Sequence, residues 1–511
     1  MTVERIDEES PLLTNETNNY TDNIQKRRRT TPTPLPKVQI SILMLLQICE
    51  PITSQSIYPY INQLISELDI TGGDERKVGY YAGLIESLFF VTEAMTVFQW
   101  SRASDHIGRK PILLIGLAGS MISMLLFGLS KTFWALVIRC VHPSLPTVTF
   151  RTGMRSYDSR CLTGLLNGNI GVMKSTIGDL TDSSNRAEGV SMLPVVWSLG
   201  AAIGPLIGGT FARPHERYPK VFTSPFWKTY PYFLPSLIGV SYVFVAFWIT
   251  VFVFKETIPK KRRSRILSRT SSTDSSSSHN HRDGALPLRN LFTYRVLLSV
   301  SNYVALAFLN ICFNALLPLF LAMPLDIGGL GLPPSAIGYV MGGYGAATGI
   351  FQFFWFAKVN RMLGEKRVFM TGMMVLPGCF AMMPIISLVA QRWGVSAIVW
   401  VMIAFTMMLA VIMDMAYGAI FMYITASPPT KAALGATHGL SQTSASISRA
   451  IGPALSTSLF SLSVQGNWLG GYAVYAIFGI LSVASVLLAR RLPDEVWEEE
   501  EYDDDHDNNE S

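Results

Sequence analysis

Again and again between residues 38 and 489, the chain strings together about twenty apolar residues with scarcely a charge among them. That repetition leaves it one kind of surroundings to fold in. About twenty apolar residues cross the ~30 Å hydrocarbon layer as a helix, and a bilayer admits only helices or closed barrels, because exposed backbone groups find no water there. Spans are read at 38–61, 78–100, 111–130, a broken fourth stretch, 188–211, 230–254, 293–322, 334–356, 368–390, 396–424, 435–464 and 470–489. Only 15% of residues are charged, against ~25% in soluble domains. The expected class is an all-α membrane protein of twelve transmembrane helices.

Lys and Arg collect in the N-terminal tail, in 101–110, in 255–295 and in 357–367, while 323–333 and 465–469 have none. This bias predicts cytosolic termini, although the basic 212–229 loop breaks the trend. Five domains follow. They are a disordered N-tail (1–37, without a secretory-type leader), a six-helix bundle (38–254), a Ser-rich basic linker (255–292), a second bundle (293–489) and an acidic C-tail (490–511). The bundles repeat each other. VGYYAG at 78–83 matches IGYVMG at 337–342, AAIGPLIGG at 201–209 matches RAIGPALST at 449–457, and SDHIGRKPIL matches NRMLGEKRVF. Repeats of this kind are a common plan among secondary transporters, with the binding site between them near the midplane.

The fifth span, SMLPVVWSLGAAIGPLIGGT, holds poor helix formers where a helix is obligatory. In lipid, small residues let helix backbones approach and so drive packing. Gly200, Gly204 and Gly208 line one face as a groove for a neighbour, Gly209 follows, and Pro205 is expected to bend the segment. Gly452 and Pro453 repeat the motif in the eleventh span.

These stretches resemble the major facilitator superfamily. W-S-R-A-S-D-H-I-G-R-K (100–110) is similar to its loop signature through Asp105, Gly108, Arg109 and Lys110. It departs at Ser101, where the family has Gly, and at His106, where it has a basic residue. Arg160, Gly164 and Gly168 match its Arg-x3-Gly-x3-Gly pattern, and the fifth-span glycines match its antiporter motif. The combination most resembles the zinc-induced-facilitator-like branch, close to drug:proton antiporters. The resemblance implies two bundles rocking about a cleft, a fifth helix sealing their interface, and a loop whose Arg109 and Lys110 hold one conformation. Asp105 is expected near the N-terminus of the next helix, where its charge is favoured. Plain packing and a positive-inside anchor are the alternatives for the helix and the loop.

Charges at membrane depth are costly and mark function. Glu50, Glu86, Glu93 and Arg160 in the first bundle qualify, as do Asp414, His438 and Arg449 in the second, with Asn310 and Asn314 as polar company. Glu50 is the expected proton carrier, with Arg160 beside it on the family's packing; a structural ion pair is the alternative. Asp414 with Arg449 reads as a structural pair. Glu86 and Glu93 share a face towards either the cleft or a helix neighbour, and His438 reads as packing. The expected function is proton-coupled antiport or export of a small organic solute, drug or metal chelate, the alternative being a transporter-like sensor or scaffold.

No phosphate loop or catalytic triad occurs, so neither an enzyme nor ATP drive is expected. Cys49, Cys140, Cys161, Cys312 and Cys379 show no disulfide framework. The His-rich 278–281 lacks the spacing of a closed metal site, so neither metal nor cofactor is expected. Expected partners are the solute, protons and lipid, but not nucleic acid, for a monomer. Glu8, Leu12 and Leu13 resemble an acidic dileucine signal, implying a sorting adaptor and a vacuolar or lysosomal membrane, or else the plasma membrane. Residues 139–158, with two prolines and three arginines inside the fourth span, read as translated intron sequence or as a genuine insertion.

Overall fold

The computed structural model describes residues 35–131, 169–181, 186–257, 292–428 and 434–497. In chain order its helices are α1 (Lys37–Gln55), α2 (Tyr58–Ser66), α3 (Val78–Ile107), α4 (Arg109–Gly128), α5 (Asn169–Leu180), α6 (Arg186–Phe211), α7 (Pro214–Arg217), α8 (Pro225–Thr229) and α9 (Phe233–Val253). The second half adds α10 (Tyr294–Ala322), α11 (Pro334–Phe351), α12 (Ala357–Leu363), α13 (Glu365–Trp393), α14 (Ala397–Ala426), α15 (Leu434–Gln465) and α16 (Ala473–Ala489). A π turn, Gln352–Phe356, joins α11 to α12. No strand occurs among the described residues, and eight helical stretches there are long and apolar enough to cross a membrane. The tail signal Glu8–Leu13, the anomalous 139–158, Arg160, Gly164, Gly168 and the His-rich linker lie outside the described residues.

The first span is two helices. Ser56 and Ile57 separate them, and Pro59 opens α2 in its first turn, where its missing N–H costs no bond. The fifth span runs through Pro194 and Pro205 as one helix. The face where α1 begins and α16 ends is here called the terminal face, and the opposite one the far face.

Each half has its own apolar core. In the first, Leu43 and Leu46 of α1 bury with Ile112 and Leu113 of α4, Val172 and Met173 of α5 and Val243 of α9. The other core extends beyond the second half. It takes in Tyr60, Ile61 and Ile65 of α2 and Val78 and Ile85 of α3, together with α10 and α11. The halves therefore share buried surface towards the far face.

Two helix pairs join them, α6 with α11 and α3 with α15. They are the repeats read in the sequence. A Cβ on Gly338 would meet the Pro205 carbonyl at 2.5 Å and Gly209 Cα at 2.8 Å; one on Gly209 would meet Gly338 Cα at 2.8 Å. In the matching pair, a Cβ on Gly83 would meet the Pro453 carbonyl at 2.6 Å, and one on Gly79 the Thr457 carbonyl at 2.7 Å. Backbones touch where only glycine leaves room, so each VGYYAG-type motif docks on a Gly-Pro motif of the other half.

The glycine stripe itself points elsewhere. Gly200 abuts Pro51, Gly204 lies against Gln55 and the Pro51 carbonyl, and Gly208 sits on the Ser56 carbonyl. All three thus meet α1 or the residue that follows it, within their own half. Gly452 likewise faces Ile311 and Cys312 of α10. Contact between halves falls to the adjoining face of α6, with Ala201, Ala202, Pro205 and Gly209. Helices thus pack on two faces of α6, the glycine stripe against the first span and the adjoining face against α11 of the other half.

Candidate functional site

Four groups of polar side chains stand out, between the halves, inside the second half and where helices turn. The first lies between the halves. Glu50, on α1 one residue before Pro51, is 8% exposed. Arg449 comes from α15 in the other half, beside the phenols of Tyr303 and Tyr417, and its charge interacts with Glu93 of α3 and Glu50. Two acids and one base from opposite halves therefore share one field. The cation expected beside Glu50, Arg160, lies outside the described residues. Around Arg449, Tyr303 packs edge-on to Tyr417 and Phe421 and accepts from Gln442 Nε2 at 3.3 Å. His438 stacks on Phe421, as a packing residue does.

The second group centres on Asp414 of α14. Its Oδ2 accepts from the Tyr344 hydroxyl at 2.5 Å and from Thr348 Oγ1 at 3.3 Å, both on α11; its Oδ1 accepts from Asn310 Nδ2 of α10 at 3.2 Å. Asn314 Nδ2 donates to the Asn310 carbonyl and side chain. Asp414 and Arg449 were expected to pair, and they form no ion pair among the described residues. Arg449 lies beside the phenols of Tyr303 and Tyr417, while three neutral donors satisfy Asp414. A buried carboxylate needs such donors, and neutral ones serve.

The third group lies towards the far face. Glu86 accepts from the Tyr58 hydroxyl of α2. The two line a small cavity with Asn62 and, from the other half, Ala315, Pro318 and Thr457. Nearby, the Ala454 N–H, next to Pro453, donates to Ser87 Oγ across the halves at 2.9 Å. Glu86 and Glu93 thus both face the second half. Residues of the far-face loop that broke the charge trend are engaged as well. Arg213 bonds Glu67 and Glu216, each at 3.0 Å, and Arg217 donates to the Gly209 carbonyl and to Tyr339 of α11.

The fourth group is the 100–110 segment at the terminal face. It is mostly helix: Ser101 and Asp105 belong to the last turns of α3, and one residue, Gly108 at φ 117°, makes the turn into α4. Asp105 therefore ends a helix and does not begin one, because Gly108 reverses the chain in a single residue. The carboxylate at the start of α4 is Glu256, whose oxygens accept from the N–H groups of Arg109 at 2.9 Å and Lys110 at 3.1 Å. A carboxylate there satisfies orphan donors and meets the positive end of the helix dipole. Arg109 also pairs with Asp179 of α5 at 3.1 Å and donates to Ser104. Lys110 Nζ donates to the carbonyls of Val251 and Phe254 that end α9. The second half repeats the scheme more loosely. Gly364 (φ 80°) turns α12 into α13, Asn360 donates to Glu365, and Lys366 pairs with Asp494, beyond α16, at 2.9 Å. Glu256 and Asp179 were missed from the sequence, where each is one acid in a polar stretch. The only available cue was that an acid follows both the sixth and the twelfth span. Among the described residues, no group of His, Cys, Asp and Glu has the makings of a metal site.

Comparison with known proteins agrees with this architecture. The chain is 31% identical to a major facilitator-type transporter, psiT2, of Psilocybe cyanescens, over 94% of this chain and 95% of that one. It is 29% identical to a major facilitator superfamily multidrug transporter, mfsB, of Aspergillus fumigatus, over 86% and 80%. Zinc-induced-facilitator proteins of Arabidopsis thaliana are further relatives. Among solved structures it superposes on a D-xylose–proton symporter with a TM-score of 0.62 at 12% identity, covering 90% of this chain and 99% of that one. A sequence profile described as Major Facilitator Superfamily matches residues 43–329. With glycine motifs docking between its two halves and a glycine-turned basic loop in each, the chain belongs to the major facilitator superfamily, as a membrane transporter and not an enzyme.

Proposed function

We propose that this transporter is an ion-gradient-driven exporter that exchanges protons for a small organic solute by alternating access, with both chain ends in the cytosol. One placement carries the reading: Glu50, buried on α1 beside Pro51, where the fifth-span helix packs, and Glu93 of α3 lie within electrostatic reach of Arg449 of the second half. Protonating one of those carboxylates removes an attraction that holds the halves together, and a cationic or polar solute competing for the same acids does likewise. An exchange of that form couples the two ligands without binding them together. A buried carboxylate freed of its cation is also the kind of group whose protonation free energy changes most with access to water. The names of the relatives, which include multidrug transporter and efflux pump, favour an organic solute.

Membrane vesicles containing the protein, loaded with a pH-sensitive dye and challenged with a panel of organic cations and metal chelates, test the reading. Solute-driven proton movement is expected in the wild type, and none is expected in Glu50→Gln. Proton movement of wild-type size in that variant contradicts the assignment of Glu50. A wild type that moves solute with no proton response contradicts the coupling.

A further inference from the structure

Asn62, in the middle of α2, is 2% exposed, and neither its amide oxygen nor its amide nitrogen has a hydrogen-bond partner. Burying a carboxamide unpaired costs several kcal/mol, so a native fold keeps one only where something satisfies it. Its position says what does. Asn62 lines two cavities at once. One is the small space of 20 Å³ shared with Tyr58, Glu86 and Thr457 between the halves. The other is a cavity of 530 Å³ towards the far face, lined also by Gln63, Ser66, Arg213 and Arg217. The smaller space holds about one water, for which roughly 10–15 Å³ and two to four polar partners suffice. The helix α2 that carries Asn62 is the wedge of the closed far end, packed against α3 and α6 of its own half and α10 and α11 of the other.

We propose that the small cavity is a water site held by the Asn62 carboxamide, and that this water conducts protons between the far-face cavity and the Glu86 carboxylate while the halves are closed there. The step balances simply. A hydronium in the larger cavity gives its proton to the bound water, which passes one of its own to the Glu86 carboxylate, leaving a carboxylic acid and two neutral waters; release runs in reverse. Asn62 is the positioning residue. Its N–H donates to the water and its carbonyl oxygen accepts from it, so the water's remaining proton points at Glu86. The groups facing Glu86 suit the relay: the Tyr58 phenol on α2, the Cys312 thiol on α10 within electrostatic reach, and the Thr457 hydroxyl on α15. None of these three carries a charge at neutral pH to trap the proton. The role in coupling rests on the proton-exchange reading above; the water site does not.

Two measurements on the purified full chain test this without any transport assay. A structure resolved finely enough to show ordered water is expected to place one between Asn62 and Glu86; a dry cavity overturns the proposal. In acidic buffer, the infrared carboxyl stretch of Glu86, assigned through Glu86→Gln, is expected to shift promptly in D₂O. In Asn62→Leu, which puts an apolar group in the path, exchange is expected to slow roughly tenfold or more, and in Asn62→Ser, which keeps a hydroxyl there, to stay near wild type. Equal exchange rates in wild type and Asn62→Leu refute the conduction role even if the water is seen. Should Asn62→Leu not fold, a slow rate in Asn62→Ser, equal to that of other buried carboxyls, overturns it instead. Absence of proton-coupled transport in the wild type would sink the functional reading alone.

Discussion

At Asp414, the side chains of Tyr344, Thr348 and Asn310 all donate into one carboxylate. Removing the acceptor strands three donors, and each stranded buried group costs about 1–3 kcal/mol. Asp414→Ala is therefore expected to lower the melting temperature in detergent clearly, while Asp414→Asn, which keeps an acceptor, loses much less. Equal melting of the two variants contradicts the network described here. The sequence pointed to Asp414 because a charge in an apolar helix stands out. It could not name the partners: Tyr344 is 70 residues away and looks like any interfacial aromatic. Charge complementarity suggested Arg449 instead, and that base lies beside the phenols of Tyr303 and Tyr417. The position of an intramembrane charge is legible from one sequence, but the direction it faces is decided by helix rotation, which spacing alone does not fix.

Helix contacts supply a sharper contrast. Gly338 of α11 has no room for a side chain against Pro205 and Gly209, whereas Gly439 of α15 has nothing within 4 Å of a built Cβ. Gly338→Val is expected to hold the halves apart at the far face, costing ~1–3 kcal/mol as overpacked interfaces do, and to abolish transport. Gly439→Ala is expected to be neutral or to stabilise by up to ~1 kcal/mol, because alanine is the better helix former. Thermal melts and uptake assays on the two variants check this, and a tolerated Gly338→Val contradicts the docking. The internal repeats exposed these motifs in the sequence, and the structure pairs them across the halves. The stripe of Gly200, Gly204 and Gly208 was legible as a packing face but not as to which neighbour it packs against. At the terminal face, the turn at Gly108 was foreseeable from the glycine. Its carboxylate cap was not, because Glu256 lies 147 residues from Arg109.

On the scale of the whole molecule, two halves meet along two main helix pairs. Their shared core lies towards the far face, and each half carries a basic glycine turn at the terminal face. The helical membrane class was written in the apolar runs, and the duplication in the repeated motifs. The state of closure was not, since it depends on contacts between segments hundreds of residues apart. If the halves rock as rigid bodies, the two faces must move in opposite senses. Spin labels at two exposed pairs report this directly: Val221 with Leu469 at the far face, and Ile107 with Met362 at the terminal face. On acidification of the reconstituted protein, double electron–electron resonance is expected to show the far-face distance lengthening in the same population in which the terminal-face distance shortens. Distances at both faces that stay fixed across that change, or that lengthen together, would contradict the account.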